Sequence, residues 1–168
     1  GAVYADLFPK RVRAMVLDGA IDPALSYADT SIDQARSFEA DLDAFFADCA
    51  AKSDCAFAHG SDPSVAYDDL ARTITAEPIP ATVNGEHRTL GAGELDLGVA
   101  NALYAGAGGY TTLASALAGA ARGTGEQMLA LSDAYTGRLR DGKYSNETDA
   151  FYATGCIDSP APPSAAAV

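Results

Sequence analysis

Apolar residues recur along most of this chain with the 3.6-residue period of amphipathic helices. Between Ser31 and Ala51, the residues Phe38, Leu42, Phe45, Phe46 and Cys49 fall on one stripe. Asp33, Glu39, Asp41, Asp43 and Asp48 lie mostly off that stripe, as the solvated face of a long helix. A second helix is expected from Ser64 to Thr75, capped by Ser61-Asp62-Pro63 and burying Val65, Leu70 and Ile74. A third runs from Gly91 to Ala105 with Leu95, Val99 and Leu103 inward. A fourth begins at Tyr110 and stops at a C-cap glycine, Gly123. A fifth is expected from Gly125 to Arg140, burying Met128, Leu129, Leu131 and Tyr135. A last short one follows Asn146, with Asp149 at its third position in capping-box style.

Three stretches break the helical period. Ala81 to Leu90 alternates around Asn84-Gly85, the strongest short hairpin signal, and two strands alone are marginal unless they lie on helices. Tyr104-Ala-Gly-Ala-Gly-Gly-Tyr110 is a joint between two helices; it follows a helix and lacks Lys-Ser/Thr, so it is no phosphate loop. At the N-terminus, Ala2 to Phe8 is helix-compatible, Pro9 stops it, and Val12 to Leu17 is an almost unbroken apolar run. Such a run suits a parallel strand buried on both faces. Helix, turn and buried strand make half a βαβ unit, and that half needs parallel strands which the rest of the chain does not offer.

Composition narrows the class. The 168 residues are 48% hydrophobic and 20% charged, which is globular and long enough for a real core. No apolar run approaches the roughly 20 residues of a membrane span. The net charge of −12, with no basic stripe, argues against nucleic acid. Its ordinary role is solubility; its functional reading is attraction of cationic groups such as a peptide amino terminus. Of the three cysteines, Cys49 and Cys55 are close in sequence. With no second cysteine pair, and only His59 and His87 as histidines, a metal site fits poorly and a disulfide fits better. A disulfide would imply an oxidising compartment. Cys156 is left over.

Tyr4-Ala5-Asp6-Leu7-Phe8-Pro9, followed by Val12 and Val16-Leu17-Asp18-Gly19-Ala20, resembles the α/β-hydrolase fold. More narrowly it resembles secreted actinobacterial hydrolases of the tripeptidyl-aminopeptidase and proline-iminopeptidase group. The resemblance implies that the first helix follows a G-x-S-x-G nucleophile elbow, with the serine about six residues before Gly1. It implies a helical lid next, with the acid and histidine after that lid. The lid group commonly pairs two cysteines at the position of Cys49 and Cys55. The expected architecture is therefore mainly α: residues 1–24 a remnant of hydrolase core, 25–155 a helical lid with one β-hairpin, and 156–168 a return linker. Ala150-Phe-Tyr-Ala-Thr-Gly-Cys-Ile-Asp158 matches the segment where the family's chain leaves the lid.

The expected function is the lid and substrate pocket of a secreted or cell-envelope serine hydrolase, an exopeptidase, without a catalytic residue, cofactor or metal of its own. Its partners are a peptide or small acyl substrate and the remaining hydrolase core. Tyr104 and Tyr110 are candidate pocket walls; the plainer reading makes them core tyrosines. His59, His87 and Asp158 have plainer readings as exposed or capping groups, and Asn146-Glu147-Thr148 is an accidental sequon. Two alternatives stay open: a non-catalytic helical interaction module, and the lid of an esterase-type α/β-hydrolase.

Overall fold

The computed structural model of the chain describes residues 1–158 except Pro23 and His59, with side chains described as far as Gly155. The fold is mainly α, with one antiparallel hairpin. The helices are α1 (Ala2–Leu7), α2 (Tyr27–Ala51), α3 (Pro63–Ala76), α4 (Ala92–Leu103), α5 (Tyr110–Ala121), α6 (Glu126–Thr136) and α7 (Glu147–Asp158). The strands β1 (Ile79–Val83) and β2 (Glu86–Leu90) lie between α3 and α4. The chain divides into two units: Gly1–Arg36 with the segment from Phe151, and Ser37–Ala150.

In the first unit, α1 stops where Pro9 begins a short 3-10 turn, and Tyr4 and Phe8 lie ring to ring at 5.1 Å. The run expected as a buried strand forms none. Val12 has extended dihedrals, but Val16 is 94% exposed, and Met15 and Leu17 are also exposed. Among the described residues the only named sheet is the hairpin, so this run has no parallel neighbour to satisfy its amide groups.

The helix expected from Ser31 starts four residues earlier. Ser26 Oγ accepts from the Asp29 amide at 3.1 Å and donates to the Asp29 carboxylate at 2.6 Å. This serine–acid exchange satisfies an orphan donor of the first turn.

The second unit holds the core. Leu42, Phe45 and Cys49 of α2 pack with Leu70 and Ile74 of α3, with Leu95, Val99 and Leu103 of α4, and with Leu113 and Leu117 of α5; Met128 and Leu129 of α6, Leu90 of β2 and Phe57 of the loop after α2 join it, with several alanines. Phe38, Phe46 and Leu131 are partly buried against it. Val65, expected inside, is 55% exposed. It lies five residues before Leu70, well off the Leu70–Ile74 stripe at 100° per residue, and Ala66 and Tyr67 take the inward positions instead. Helix α4 lies hard against α6 at Gly98, where an added Cβ would stand 2.5 Å from Met128 Sδ and 2.8 Å from its carbonyl oxygen.

Helix α6 ends at Thr136, not Arg140, because Gly137 takes the left-handed conformation of a C-cap, with φ 68°. Its Tyr135, expected inside, is 39% exposed. The hairpin turns at Asn84 and Gly85, both at positive φ, and pairs Val83 with Glu86 through to Ile79 with Leu90. This is the geometry of a two-residue hairpin loop. On its outer side the Thr82 amide donates to Glu126 Oε1 at 3.3 Å.

Candidate functional site

Tyr104 and Tyr110 bracket the glycine joint. Tyr104 caps the end of α4, Gly106–Gly109 makes a 3-10 turn, and Tyr110 opens α5. Both rings lean on α2. Tyr104 meets Phe38 edge-on at 5.2 Å, and Tyr110 meets Phe45 edge-on at 5.6 Å. Phe38 and Phe45 are about two helical turns apart, roughly 10 Å along the axis. The tyrosines therefore lean on one face of α2, about two turns apart.

Tyr110 is half-buried, and its hydroxyl donates to the Asp41 carbonyl at 3.4 Å. It lines a cleft of about 270 Å³ with Phe45, Asp48, Cys55, Ala56 and Ala114. Tyr104 is 63% exposed and lies 6.1 Å from the Tyr135 ring, so Phe38, Tyr104 and Tyr135 form an aromatic surface.

The structure joins Cys49 and Cys55 in a disulfide, with Cα atoms 5.3 Å apart. A broader groove of about 800 Å³ runs beside it, lined by Asp43, Phe46, Lys52 and Asp62 among others; neither tyrosine enters it. Lys52 Nζ donates to Asp48 at 2.7 Å, and that bond raises the ammonium above its usual range. Asp62 caps α3, accepting from the Ser64 amide at 2.9 Å and its hydroxyl at 2.8 Å, which lowers the carboxyl. On the neighbouring turn, burial pushes the Tyr67 phenol up to about 12, with Asp96, Glu39 and Asp68 adding to the shift. Burial also raises Asp96.

Sequence reading missed the most enclosed charges. Arg88 Nη1 donates to both carboxylate oxygens of Asp133, at 2.8 and 2.7 Å. Arg138 Nη2 donates to Glu86 at 2.6 Å, and its Nη1 lies 4.0 Å from Asp133. The Glu86 bond raises the guanidinium further, so Arg138 stays charged while its carbon sits 5.8 Å from the Tyr144 ring centre. The signal was present. Arg88 alternates with buried Leu90, and Asp133 follows buried Leu129 by four residues, so opposite charges stand on two inward faces. Glu94 is likewise structural: its carboxylate accepts from the Gly91 amide at 3.1 Å at the start of α4.

His87 pairs with Thr82 Oγ1 at 3.1 Å across the hairpin, and Ser115 donates to Gln127 at 3.0 Å. Both pairings are structural. His59 and the side chains of Cys156 and Asp158 lie outside the described residues. Among the described residues no three His, Cys, Asp or Glu side chains gather as metal ligands, and no helix is long and apolar enough to cross a membrane.

Residues 1–60 match the family of the alpha/beta hydrolase fold. Over 95% of its length the chain is 39% identical to carboxylesterase B of Mycobacterium tuberculosis. Over the same share it is 33% identical to the serine protease Hip1 of Mycobacterium bovis. It covers 30% of the first protein and 32% of the second, so the chain spans about a third of the length of the curated relatives it matches. Together these matches support an α/β-hydrolase affiliation for this chain.

Proposed function

We propose that this chain is the lid and substrate-pocket region of a secreted serine hydrolase, with nucleophile, acid and base supplied by segments outside residues 1–168. The finer reading is an exopeptidase of the tripeptidyl- or prolyl-aminopeptidase kind. What supports it is that residues 1–60 match the hydrolase fold and run on in sequence into a helical unit, Ser37–Ala150, that carries an exposed aromatic surface. Residues 25–155 act as the lid and residues 1–24 as part of the sheet-bearing core. A lid excludes water, orders the substrate and gates product release. Tyr104 and Tyr110 are its pocket walls for a peptide or small acyl group, and the Cys49–Cys55 disulfide supports an oxidising, secreted or envelope location.

Carboxylesterase B, the more similar of the two relatives by identity, favours a second reading, the lid of an esterase. A protein carrying this chain within its full reading frame separates the two. Tripeptidyl and prolyl nitroanilides should turn over faster than nitrophenyl esters, and Tyr104→Ala should raise KM for the peptides. The 168-residue chain alone should turn over neither. Preference for the esters would select the second reading, and inhibitor-sensitive turnover by the isolated chain would overturn both.

A further inference from the structure

The two ends of the Cys49–Cys55 bridge differ in access. Cys49 is 4% exposed and belongs to the hydrophobic core. Its Sγ lies 3.3 Å from the carbonyl oxygen of Phe57, which is itself 3% exposed. Cys55 is only partly buried. It borders both cavities beside the bridge, the groove of about 800 Å³ and the cleft of about 270 Å³; of these two, Cys49 borders the groove alone.

We propose that Cys55 is a thiol-exchange site, modified as a mixed disulfide by small aminothiols. A disulfide exchanges when a thiolate attacks one sulfur in line with the bridge and expels the other, and access decides which sulfur is struck. Attack on Cys55 Sγ comes from the side away from Cys49, where the cavities lie. Attack on Cys49 Sγ would have to pass packed core side chains and the Phe57 carbonyl oxygen, which repels a negative charge. The bond formed joins Cys55 Sγ to the incoming sulfur, and the bond broken is the Cys49–Cys55 bridge. Cys49 leaves with the electron pair and takes up the proton that the attacking thiol gave to solvent. One S–S bond replaces another, so no oxidant or reductant is consumed. The Cys49 thiol then donates to the Phe57 carbonyl, and buried Phe57 keeps the loop in place. Burial makes Cys49 the slower leaving group, which lowers the rate without moving the attack to the other sulfur.

Charge selects the class of thiol. Among the described residues bordering the two cavities, Asp43, Asp48, Asp54 and Asp62 are acidic and Lys52 alone is basic. Lys52 already donates to Asp48 at 2.7 Å. The field at Cys55 is therefore negative, and a thiolate that carries an ammonium group approaches it more readily than one that carries a second anion.

The test uses the 168-residue chain with Cys156→Ser, to remove the third thiol. It is treated with cysteamine or 2-mercaptoethanesulfonate, quenched in acid, capped with maleimide at low pH and mapped by tandem mass spectrometry. Of the singly modified chains, about nine in ten or more should carry the adduct on Cys55 and maleimide on Cys49. Per thiolate present, cysteamine should react about fivefold or more faster than the sulfonate at low ionic strength, and the ratio should shrink towards one in about 1 M salt. Cys49→Ala and Cys55→Ala then leave one thiol at a time. Towards cystamine, the Cys55 thiol should react about tenfold or more faster than the Cys49 thiol. If either variant does not fold, the adduct map decides alone. An adduct chiefly on Cys49, an even division, or no singly modified chain overturns the site. A sulfonate that matches cysteamine at low salt overturns the aminothiol class. No hydrolase substrate enters these measurements, so failure of the lid reading leaves their outcome intact.

Discussion

Arg88 on β2 and Asp133 on α6 meet 45 residues apart in sequence, one guanidinium nitrogen donating to both carboxylate oxygens. The side chains are 16% and 11% exposed, so neither charge is well solvated. The pair pins the hairpin to α6, which a two-stranded sheet needs for stability. Removing Arg88 leaves the enclosed Asp133 carboxylate only the more distant Arg138, 4.0 Å away.

Arg88→Ala should therefore destabilise the chain by about 3–5 kcal/mol, whereas Arg88→Met combined with Asp133→Leu should recover most of the loss. Urea unfolding of the single and double variants measures this. Equal stability of Arg88→Ala and the parent would show that the pair carries no structural burden.

Gly98→Ala should cost about 1–3 kcal/mol, because the new methyl meets the Met128 sulfur and carbonyl and forces α4 off α6. Gly93, in the first turn of the same helix, has nothing within 4 Å of an added Cβ and serves as the control. Thermal melts in which Gly98→Ala matches Gly93→Ala would refute the tight crossing.

Tyr67 should titrate late. Its folded phenol is pushed up to about 12 against an ordinary 10.0, with burial as the leading cause. The unfolded chain then releases this proton first as pH rises, so the contribution to stability is complete below pH 10 and falls away through about pH 12. Phenolate absorbance of the parent minus that of Tyr67→Phe should show the late midpoint while the chain remains folded by circular dichroism. A midpoint at the ordinary value would contradict the burial.

Much of this fold was legible because local rules and tertiary packing agree. Asn84-Gly85 dictated its turn through positive φ, and the Phe38–Cys49 stripe marked the inner face of α2. Disagreement arose where one signal outweighed a pattern. Gly137 ended α6 although Leu139 continued the period, and Ser26 began α2 before the period was visible. Helix α7 extends to Asp158, through the segment read as the exit from the lid. Val12–Leu17 carries the composition of a strand, but a strand is a relation between segments, and the described residues supply no partner for it. The Arg88–Asp133 pair was missed because single charges in a sequence read as solvated; only register across the hairpin and helical phase together turn both inward. As for the tyrosines, their spacing was visible, but which residue of α2 each ring meets depends on the path of the 3-10 turn.

The Thr82–Glu126 bond has a consequence for association between chains. A sheet of two strands presents two rims, and each is a template on which a stray strand can add. Along the β1 rim, Thr82 already spends its outward amide on Glu126, and Pro80, two residues back on the same side, has none to give. Lateral growth from that rim is thus chemically capped, and only the β2 side of the hairpin retains the complement of donors that an adding strand requires.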